Sequence, residues 1–236
     1  MRNQASPIST ESITAPASRS RVRRAITLAI VLINLVTLAP ASASAHLANR
    51  IQAQPNVQQE VVALIEIPAG TNQKWEQNKD SGQLEWEKRN GTRRVVSYLP
   101  YPGNYGMIEN TLLPKDKGGD GDPLDVIILG PAVERGSHIK IDIIGILKLK
   151  DNGEQDDKLI AVMDKSPLAD VRSMSELRTL YVGVDEILRV WFSHYKGPEQ
   201  MEFVGFGDRA EALDVLRIAQ ESFLIQMNDL EKGNEN

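Results

Sequence analysis

The sequence contains no cysteine, few aromatic residues and no apolar run of membrane-spanning length. Without cysteine among its 236 residues, the chain has no disulfide bonds, thiol nucleophiles or thiolate zinc sites. Aromatic residues make up 5% of the chain, which is poor material for the stacking surface of a nucleic-acid binder. The uncharged apolar run at residues 25–39 is shorter than the about 20 residues that a membrane helix needs.

Positive charge is also scarce outside the N-terminus. Residues 1–45 carry five arginines against one glutamate, a net charge of +4. Because the whole chain carries −5, the remaining residues carry −9. A nucleic-acid-binding protein usually presents a basic face, so we expect no nucleic-acid partner.

The N-terminal residues have the three parts of a secretory signal peptide. An arginine-rich segment ending at Arg24 precedes the apolar run, and Pro40 and the small residues at 41–45 follow it. This order predicts a signal peptide or targeting segment at residues 1–45, cleaved after Ala43 or Ala45, and therefore an exported protein, periplasmic or secreted. An uncleaved membrane anchor and an organellar targeting segment are the alternatives. Residues 46–59 are polar and predict a flexible lead-in to a domain at 60–230.

The body of the chain is predicted to contain strands first and helices later. Apolar runs, several of them rich in β-branched residues, predict strands at 61–67, 95–98, 123–129, 137–150 and 158–163. The turn sequence Asp80-Ser-Gly82 predicts two short strands on either side of it, at 74–77 and 83–88. Asn152-Gly153 predicts a hairpin turn between the last two strands. Helical spacing predicts helices at 175–180, at 184–195 with Asp185 as N-cap, and at 208–227. The order favours an α+β fold, in which a small closed barrel would hide the edges of the short strands.

Three carboxylates lie within six residues in Asp120-Gly-Asp122-Pro-Leu-Asp125. The glycine and proline exclude a helix, and the apolar run that follows predicts a buried strand. Carboxylates this close repel one another unless cations share the site, and hard ions such as Mg²⁺ prefer oxygen ligands. An isolated Asp-Gly-Asp is more often a polar turn, and a structural calcium site is a further alternative, although the EF-hand spacing is absent.

Other acidic, basic and phenolic side chains fall near the ends of other predicted strands. The acidic ones are Glu66, Glu76, Asp151 and Asp156, and the cations and phenols are Lys74, Tyr105, Lys158, Tyr195 and Lys196. Lysines and tyrosine hydroxyls beside metal ions suit phosphate oxygens, which accept both charge and hydrogen bonds. The pattern therefore predicts a metal-assisted phosphate site.

Six segments occur in the order and approximate spacing of family I soluble inorganic pyrophosphatases, and the chain resembles that family over residues 60–227. The segments are Glu66-Ile-Pro-Ala69, Lys74-Trp-Glu76, Tyr101-Pro-Gly-Asn-Tyr105-Gly106, the Asp120–Asp125 cluster, Asp151 with Asp156-Asp-Lys158, and His194-Tyr195-Lys196. The resemblance implies a five-stranded OB-like β-barrel with helices packed outside. It also implies hydrolysis of pyrophosphate with several Mg²⁺ ions per site, Mn²⁺ being the alternative ion, and a homo-oligomer, either a dimer or a hexamer.

The resemblance implies a role for each site residue. The metal ligands would be Asp120, Asp125, Asp151 and Asp156, with Glu66 and Glu76 near a further metal or its water shell. The residues that bind substrate would be Lys74, Tyr105, Lys158, Tyr195 and Lys196. Asp122 would be the catalytic residue, which accepts the proton of the attacking water.

The sequence departs from the family at an arginine that binds phosphate. Counting from Ser81-Gly82 puts Lys88 at its position, so Lys88 is predicted to bind substrate in its place. Arg89 is an alternative if a local bulge changes the facing of the strand. Arg93 or Arg94, in an apparent insertion of a few residues, is a third. The competing function is a non-catalytic metal- or phosphate-binding protein on the same fold.

Overall fold

The computed structural model describes residues 60–79 and 81–234. The predicted signal or targeting segment at 1–45 and the lead-in at 46–59 lie outside the described residues. The strands are β1 (Val61–Ile67), β2 (Trp75–Gln77), β3 (Leu84–Trp86), β4 (Lys88–Arg89), β5 (Thr92–Arg93), β6 (Asn104–Ile108), β7 (Leu124–Leu129), β8 (His138–Asp151), β9 (Glu154–Gln155), β10 (Lys158–Met163) and β11 (Met201–Gly207). The helices are α1 (Met174–Leu180), α2 (Val184–His194) and α3 (Arg209–Asn234), with a 3₁₀ turn at Lys115–Lys117. None of the helices in the described part of the chain is both long and apolar enough to cross a membrane.

Five of these strands pair in a closed cycle, in the order β1, β6, β7, β10 and β8, with β8 returning to β1. The pairing of β7 with β10 is parallel, and the other four pairings are antiparallel. Strand β8 is 14 residues long, so it pairs with β1 near its start and with β11 near its end. Together with the three helices, this mixed sheet makes the fold α+β, as predicted.

Both faces of the sheet are covered, which explains the continuous apolar run of β7. Val126 and Ile128 belong to a core cluster that includes Ala212 and Leu216 of α3. The alternate residues of β7 belong to a second cluster that includes buried residues of α1 and α2. Because successive side chains of a strand point to opposite faces, a strand buried on both faces must be apolar throughout.

Helix α3 is positioned by its cap at one end and by its apolar stripe along its first half. The Oδ1 of Asp208 accepts a hydrogen bond from the backbone N–H of Glu211 at 2.9 Å, which satisfies one of the free donors of the first turn. The helix continues to Asn234, beyond its predicted end at residue 227. Within the predicted part of the helix, Phe223 and Gln226 line the same cavity as the Asp120–Asp125 cluster.

Some elements differ from the sequence prediction. The predicted strand at 95–98 is reduced to one isolated bridge between Gln73 and Val95, because the chain around it continues as exposed bends. Strands β6 and β11 were not predicted, since glycine interrupts the apolar pattern in each of them. The N-cap of α2 is Gly183, whereas Asp185 lies in the first turn and accepts a hydrogen bond from Arg178 at 2.7 Å.

Candidate active site

A cavity of about 730 Å³ brings together most of the residues that the sequence analysis selected. Eleven of the thirteen predicted site residues line it: Glu66, Lys74, Glu76, Tyr105, Asp120, Asp122, Asp125, Asp156, Lys158, Tyr195 and Lys196. They come from β1, β2, β6, β7, β10 and the loops between elements. The two others, Asp151 and Lys88, do not line the cavity.

A buried lysine held by two aspartates forms the centre of the site. The Nζ of Lys158 lies 2.5 Å from Oδ2 of Asp125 and 2.6 Å from Oδ1 of Asp156. The strand register explains the first contact: Leu159 of β10 pairs with Val126 of β7, so the residues before them are neighbours. Burial alone would lower the pKa of Lys158, but the two carboxylates raise it above its ordinary value. Lys158 therefore stays charged at neutral pH.

The neighbours of Asp125 lower the pKa of its carboxylate. Its burial would raise the pKa, but the positive charges of Lys158 and Lys74 outweigh this effect and hold the pKa below the ordinary value. A hydrogen bond from the hydroxyl of Tyr105 acts in the same direction. Asp125 is therefore an ionised carboxylate at neutral pH.

The pKa of Glu66 is shifted in the opposite direction, above its ordinary value. Burial raises its pKa to about 7, and the nearby Lys74 and the backbone N–H of Gln77 compensate only in part. That N–H donates to Oε1 of Glu66 at 2.8 Å. The cavity wall thus contains one carboxyl group that exchanges its proton near neutral pH.

The loop that contains Asp120 and Asp122 is bent so that both carboxylates reach the cavity. Gly121 has a φ of 88°, in the left-handed region that favours glycine. The Oδ1 of Asp120 accepts a hydrogen bond from the backbone N–H of Asp122 at 2.9 Å, and Lys79 donates to Oδ1 of Asp122. The second oxygen of Asp122 is therefore the one available to accept a proton.

The far wall of the cavity is formed by the residues that follow α2. The ring of Tyr195 stacks on that of Trp191, with centroids 4.7 Å apart. The Nζ of Lys196 lies 2.5 Å from Oδ2 of Asp151 and 3.6 Å from Oδ2 of Asp156. Asp151 is thus connected to the cavity through Lys196, although it does not line it.

The structure also shows which of the candidate phosphate-binding cations, Lys88, Arg89, Arg93 and Arg94, line the cavity. Lys88 is exposed on β4, whereas the side chain of Arg94 lines the cavity and binds Glu87 at 2.7 Å. Counting along the sequence fails here because residues 88–93 form an extra hairpin, β4–β5. Its turn residues Asn90 and Gly91 both have left-handed φ values, 52° and 77°, and the chain returns to pair Arg94 with Glu87 through the backbone. Arg94, the third alternative, is the arginine that the fold brings to the cavity, and Lys88 is not brought there.

Several lining residues were not selected from the sequence, among them Lys79, Phe223 and Gln226. Lys79 could have been found, because it stands beside the predicted turn at Ser81-Gly82 and close to Glu76 in the sequence. Phe223 and Gln226 lie within the helix predicted at 208–227. No pattern within that helix indicates which of its residues reach a cavity on a different part of the chain.

The donor set fits a hard divalent cation in its chemistry, although lysines neutralise it in the structure. Within residues 60–79 and 81–234, no three His, Asp or Glu side chains are arranged closely enough to hold a metal ion. Instead, the carboxylates of Asp122, Asp125 and Asp156 each bind a lysine. The Oδ2 of Asp156 is buried and has no hydrogen-bond partner in the described residues. The Nζ of Lys196 lies 3.6 Å from this oxygen, too far for a hydrogen bond, so the oxygen can accept a closer cation or donor. An all-oxygen donor set is the one that Mg²⁺ and Mn²⁺ prefer.

The chain is similar in sequence to known proteins. The family model described as inorganic pyrophosphatase matches residues 63–224. The chain is 36% identical over 172 residues to an inorganic pyrophosphatase of Nanoarchaeum equitans, covering 70% of this chain and 98% of that protein. It is 32% identical over 167 residues to one of Corynebacterium efficiens, covering 69% of this chain and 98% of that protein.

Solved structures give the same result. The type I inorganic pyrophosphatase of Toxoplasma gondii superposes with a TM-score of 0.68 at 26% identity, covering 74% of this chain and 84% of that one. The inorganic pyrophosphatase of Thermus thermophilus superposes with a TM-score of 0.61 at 27% identity, covering 73% of this chain and 97% of that one. The chain therefore belongs to the family I soluble inorganic pyrophosphatases, a family of inorganic diphosphatases.

Proposed function

We propose that this protein hydrolyses inorganic pyrophosphate to two phosphates in a reaction that depends on Mg²⁺, with Mn²⁺ as the alternative ion. The observation that carries the proposal is the convergence of four aspartates and four lysines in one cavity. These are Asp120, Asp122, Asp125, Asp156, Lys74, Lys79, Lys158 and Lys196. Acidic side chains that bind hard cations and basic side chains that bind phosphate are both needed for phosphoryl transfer.

The ions, when bound, neutralise charge on the phosphates and lower the pKa of a coordinated water. Asp120, Asp125 and Asp156 would hold them, together with Asp151 when substrate is present. Glu66 and Glu76, on the wall of the same cavity, are proposed to lie near a further ion or its water shell.

The remaining side chains have roles that follow from their positions. Asp122 accepts the proton of the attacking water at the carboxylate oxygen that is not bound by Lys79. Lys74, Lys196 and Tyr195 bind phosphate oxygens, because their polar ends face the same cavity as the aspartates. Lys158 holds Asp125 and Asp156 in position and contributes a positive charge beside the substrate.

Phosphate release from pyrophosphate with Mg²⁺ tests the proposal. Asp122→Asn keeps the shape of the side chain but removes the proton acceptor, so kcat is expected to fall by a factor of about 10²–10⁴. Asp125→Asn is expected to raise the Mg²⁺ concentration needed for activity as well. The control is Asp116→Asn, an exposed acid in the 3₁₀ turn.

Wild-type protein that binds Mg²⁺ and pyrophosphate but releases no phosphate would contradict the proposal and favour the competing non-catalytic function. Full activity in both the Asp122 and Asp125 variants would leave the reaction in place and refute the assignment of these residues.

We further propose that Arg94, rather than Lys88, binds a substrate phosphate. Its guanidinium lines the cavity, and Glu87 fixes its orientation at 2.7 Å. Arg94→Lys is expected to raise the KM for pyrophosphate about tenfold, since a two-pronged donor is replaced by a point charge. Lys88→Ala, on the exposed side of the same hairpin, is the matched comparison. A larger effect of Lys88→Ala than of Arg94→Lys would restore the original assignment of Lys88.

Three further proposals concern the fold, the location and the assembly of the protein. The five-stranded OB-like barrel is supported by the closed cycle of strand pairings.

Export is supported by the composition of residues 1–45. Sequencing of the mature N-terminus tests it, and a mature chain beginning at Met1 would contradict cleavage.

A dimer or hexamer is supported by exposed apolar side chains on α3, such as Leu224, Ile225 and Leu230. Light scattering that finds only monomers would contradict this assembly.

A further inference from the structure

An exposed lysine reaches into the cavity from the turn between β2 and β3. The Nζ of Lys79 binds Oδ1 of Asp122, a residue 43 positions further along the chain, and both residues line the cavity. The side chain of Lys79 is 72% exposed, whereas those of Lys158 and Lys196 are 3% and 17% exposed. Lys79 is therefore held in place by its contact with Asp122 rather than by burial.

Hydrogen bonds within the turn fix the backbone on both sides of Lys79. The Oδ1 of Asn78 accepts a hydrogen bond from the backbone N–H of Ser81 at 3.0 Å, and its backbone oxygen accepts one from the N–H of Gly82 at 2.8 Å. The backbone N–H of Asn78 donates to the backbone oxygen of Gln83 at 2.9 Å. The turn therefore presents the lysine at a defined place beside the Asp120–Asp125 cluster.

The first two aspartates of that cluster have different partners, although they belong to the same bent loop. The Oδ1 of Asp120 accepts a hydrogen bond from a neutral backbone N–H, that of Asp122, and no lysine or arginine in the described part of the chain forms a salt bridge with Asp120. Asp122 is bound by the ammonium group of Lys79. A neutral donor leaves the charge of a carboxylate available to a metal ion, whereas an ammonium group offsets that charge and repels the ion. The two carboxylates are thus suited to different tasks.

We propose that Lys79 is a positioning residue, which keeps Asp122 from binding a metal ion and leaves its second oxygen to accept the proton of the attacking water. The proposal rests on the proposed function, in which Asp120 is a metal ligand and Asp122 is the proton acceptor. A carboxylate oxygen that coordinates an ion gives up the electron pair that a proton needs. With Oδ1 bound by Lys79, Oδ2 of Asp122 keeps such a pair. Lys79 thus acts through Asp122 and needs no contact with the substrate.

Steady-state kinetics of the full chain with Mg²⁺ and pyrophosphate test this role. Lys79→Met is expected to lower kcat about tenfold and to change KM little, because a misplaced proton acceptor slows the chemical step. Lys79→Arg keeps a cation at the same place and should recover most of kcat. The control Lys140→Met removes the lysine of another exposed ion pair, with Glu60, and should have the kcat of the wild type. A raised KM with unchanged kcat in Lys79→Met would mean that Lys79 binds a phosphate, and would overturn the proposal.

A double-mutant cycle shows whether Lys79 acts through Asp122. If it does, Lys79→Met/Asp122→Asn should have the same kcat as Asp122→Asn alone, because the single variant already lacks the proton acceptor. A loss in the double variant that equals the sum of the two separate losses in activation free energy would mean that the residues act independently. That result would contradict the proposal.

Calorimetric binding of Mg²⁺ without substrate tests the exclusion of the ion independently of activity. Lys79→Met should bind Mg²⁺ more tightly than the wild type, because Asp122 becomes available as an oxygen ligand. In the Asp122→Asn background the same change should have no effect. Equal affinities in the wild type and Lys79→Met, or an equal gain in both backgrounds, would overturn the proposal.

The same measurement separates this proposal from the proposed function. A wild-type protein that releases no phosphate would contradict the proposed function, and the Mg²⁺ affinities would still decide whether Lys79 keeps the ion from Asp122. Conversely, a wild-type protein that hydrolyses pyrophosphate, with unchanged kcat and Mg²⁺ affinity in Lys79→Met, would refute the role of Lys79 and leave the proposed function in place.

Discussion

Lys158 connects the stability of the cavity to its chemistry, because its ammonium group is the shared partner of two aspartates. Its side chain is 3% exposed, and it neutralises two carboxylates that water reaches only in part. Its neighbour Asp125 is ionised for the same reason, as the depressed pKa indicates. At the scale of residues, the site is a set of charges that stabilise one another.

Lys158→Met should therefore destabilise the protein strongly in the absence of metal. Removing one partner of a buried ion pair costs about 3–5 kcal/mol. Added Mg²⁺ should recover part of this loss, since a bound cation replaces the missing positive charge. Denaturant unfolding in EDTA and in Mg²⁺ measures both effects. Lys115→Met, at an exposed lysine of the 3₁₀ turn, serves as control, and an equal loss in the two variants would contradict the prediction.

Glu66 predicts a pH dependence of stability. Its pKa is raised by burial from 4.5 to about 7, so the folded state holds a proton that the unfolded chain releases at lower pH. Its stabilising contribution is complete below pH 4.5 and is lost as the pH rises through about 7. Glu66→Gln cannot titrate, so the variant should gain stability relative to the wild type across this range, by up to about 3 kcal/mol.

Unfolding in EDTA at several pH values between 4 and 8 measures this difference. Glu85→Gln, at an exposed position on β3, is the comparison. Parallel stability curves for Glu66→Gln and the wild type would show that Glu66 ionises normally in the folded protein.

At the scale of elements, the sequence predicted strands best where both faces are buried. β7 and β10 were predicted to within one residue of their ends because each contains a continuous apolar run, residues 126–129 and 159–163. β6 was missed because its one glycine, Gly106, breaks the pattern. The structure gives the reason for that glycine: a Cβ at this position would lie 1.9 Å from the carbonyl oxygen of Leu64 in the neighbouring β1. In the local sequence, the glycine itself is the one sign of such a close approach between strands.

Gly106→Ala should therefore cost about 3 kcal/mol or more, since the backbone of β1 must move to accommodate the methyl group. Gly153→Ala is the matched control. Gly153 has a φ of 89° but open space around its missing side chain, so only the conformational cost of about 1 kcal/mol is expected. Thermal or denaturant unfolding compares the two variants. Equal losses would mean that β1 and β6 can separate without penalty.

In the candidate site too, residues that belong to recognisable sequence segments were predicted, and residues whose position depends on distant parts of the chain were not. Eleven of its residues were selected from the sequence because each stands in a recognisable segment. The arginine was assigned to Lys88 because counting assumes a constant strand length, and the β4–β5 hairpin changes that length. Phe223 and Gln226 could not be selected, since their position depends on where a 26-residue helix passes over another part of the chain.

At the scale of the whole molecule, residues 60–236 should fold and hydrolyse pyrophosphate without residues 1–59. The family match begins at residue 63, and the eleven predicted site residues that line the cavity all lie after that residue. The kcat/KM of the shortened protein should equal that of the full chain. Removing residues up to Ile67 as well should abolish folding, because β1 pairs with both β6 and β8. Loss of activity in the first variant would mean that the N-terminal residues complete the domain.

The closure of the strand cycle also has a consequence for folding kinetics. β1 pairs with β8 through Val61 and Ile141, and β7 pairs with the later β10, so the cycle cannot close until most of the chain has been synthesised. Pairings between such distant segments slow folding. Until they form, β7 and β8 have unpaired edges, which in a partly folded chain are sites of aggregation. The slow step in refolding should accordingly be the arrival of β10 between β7 and β8.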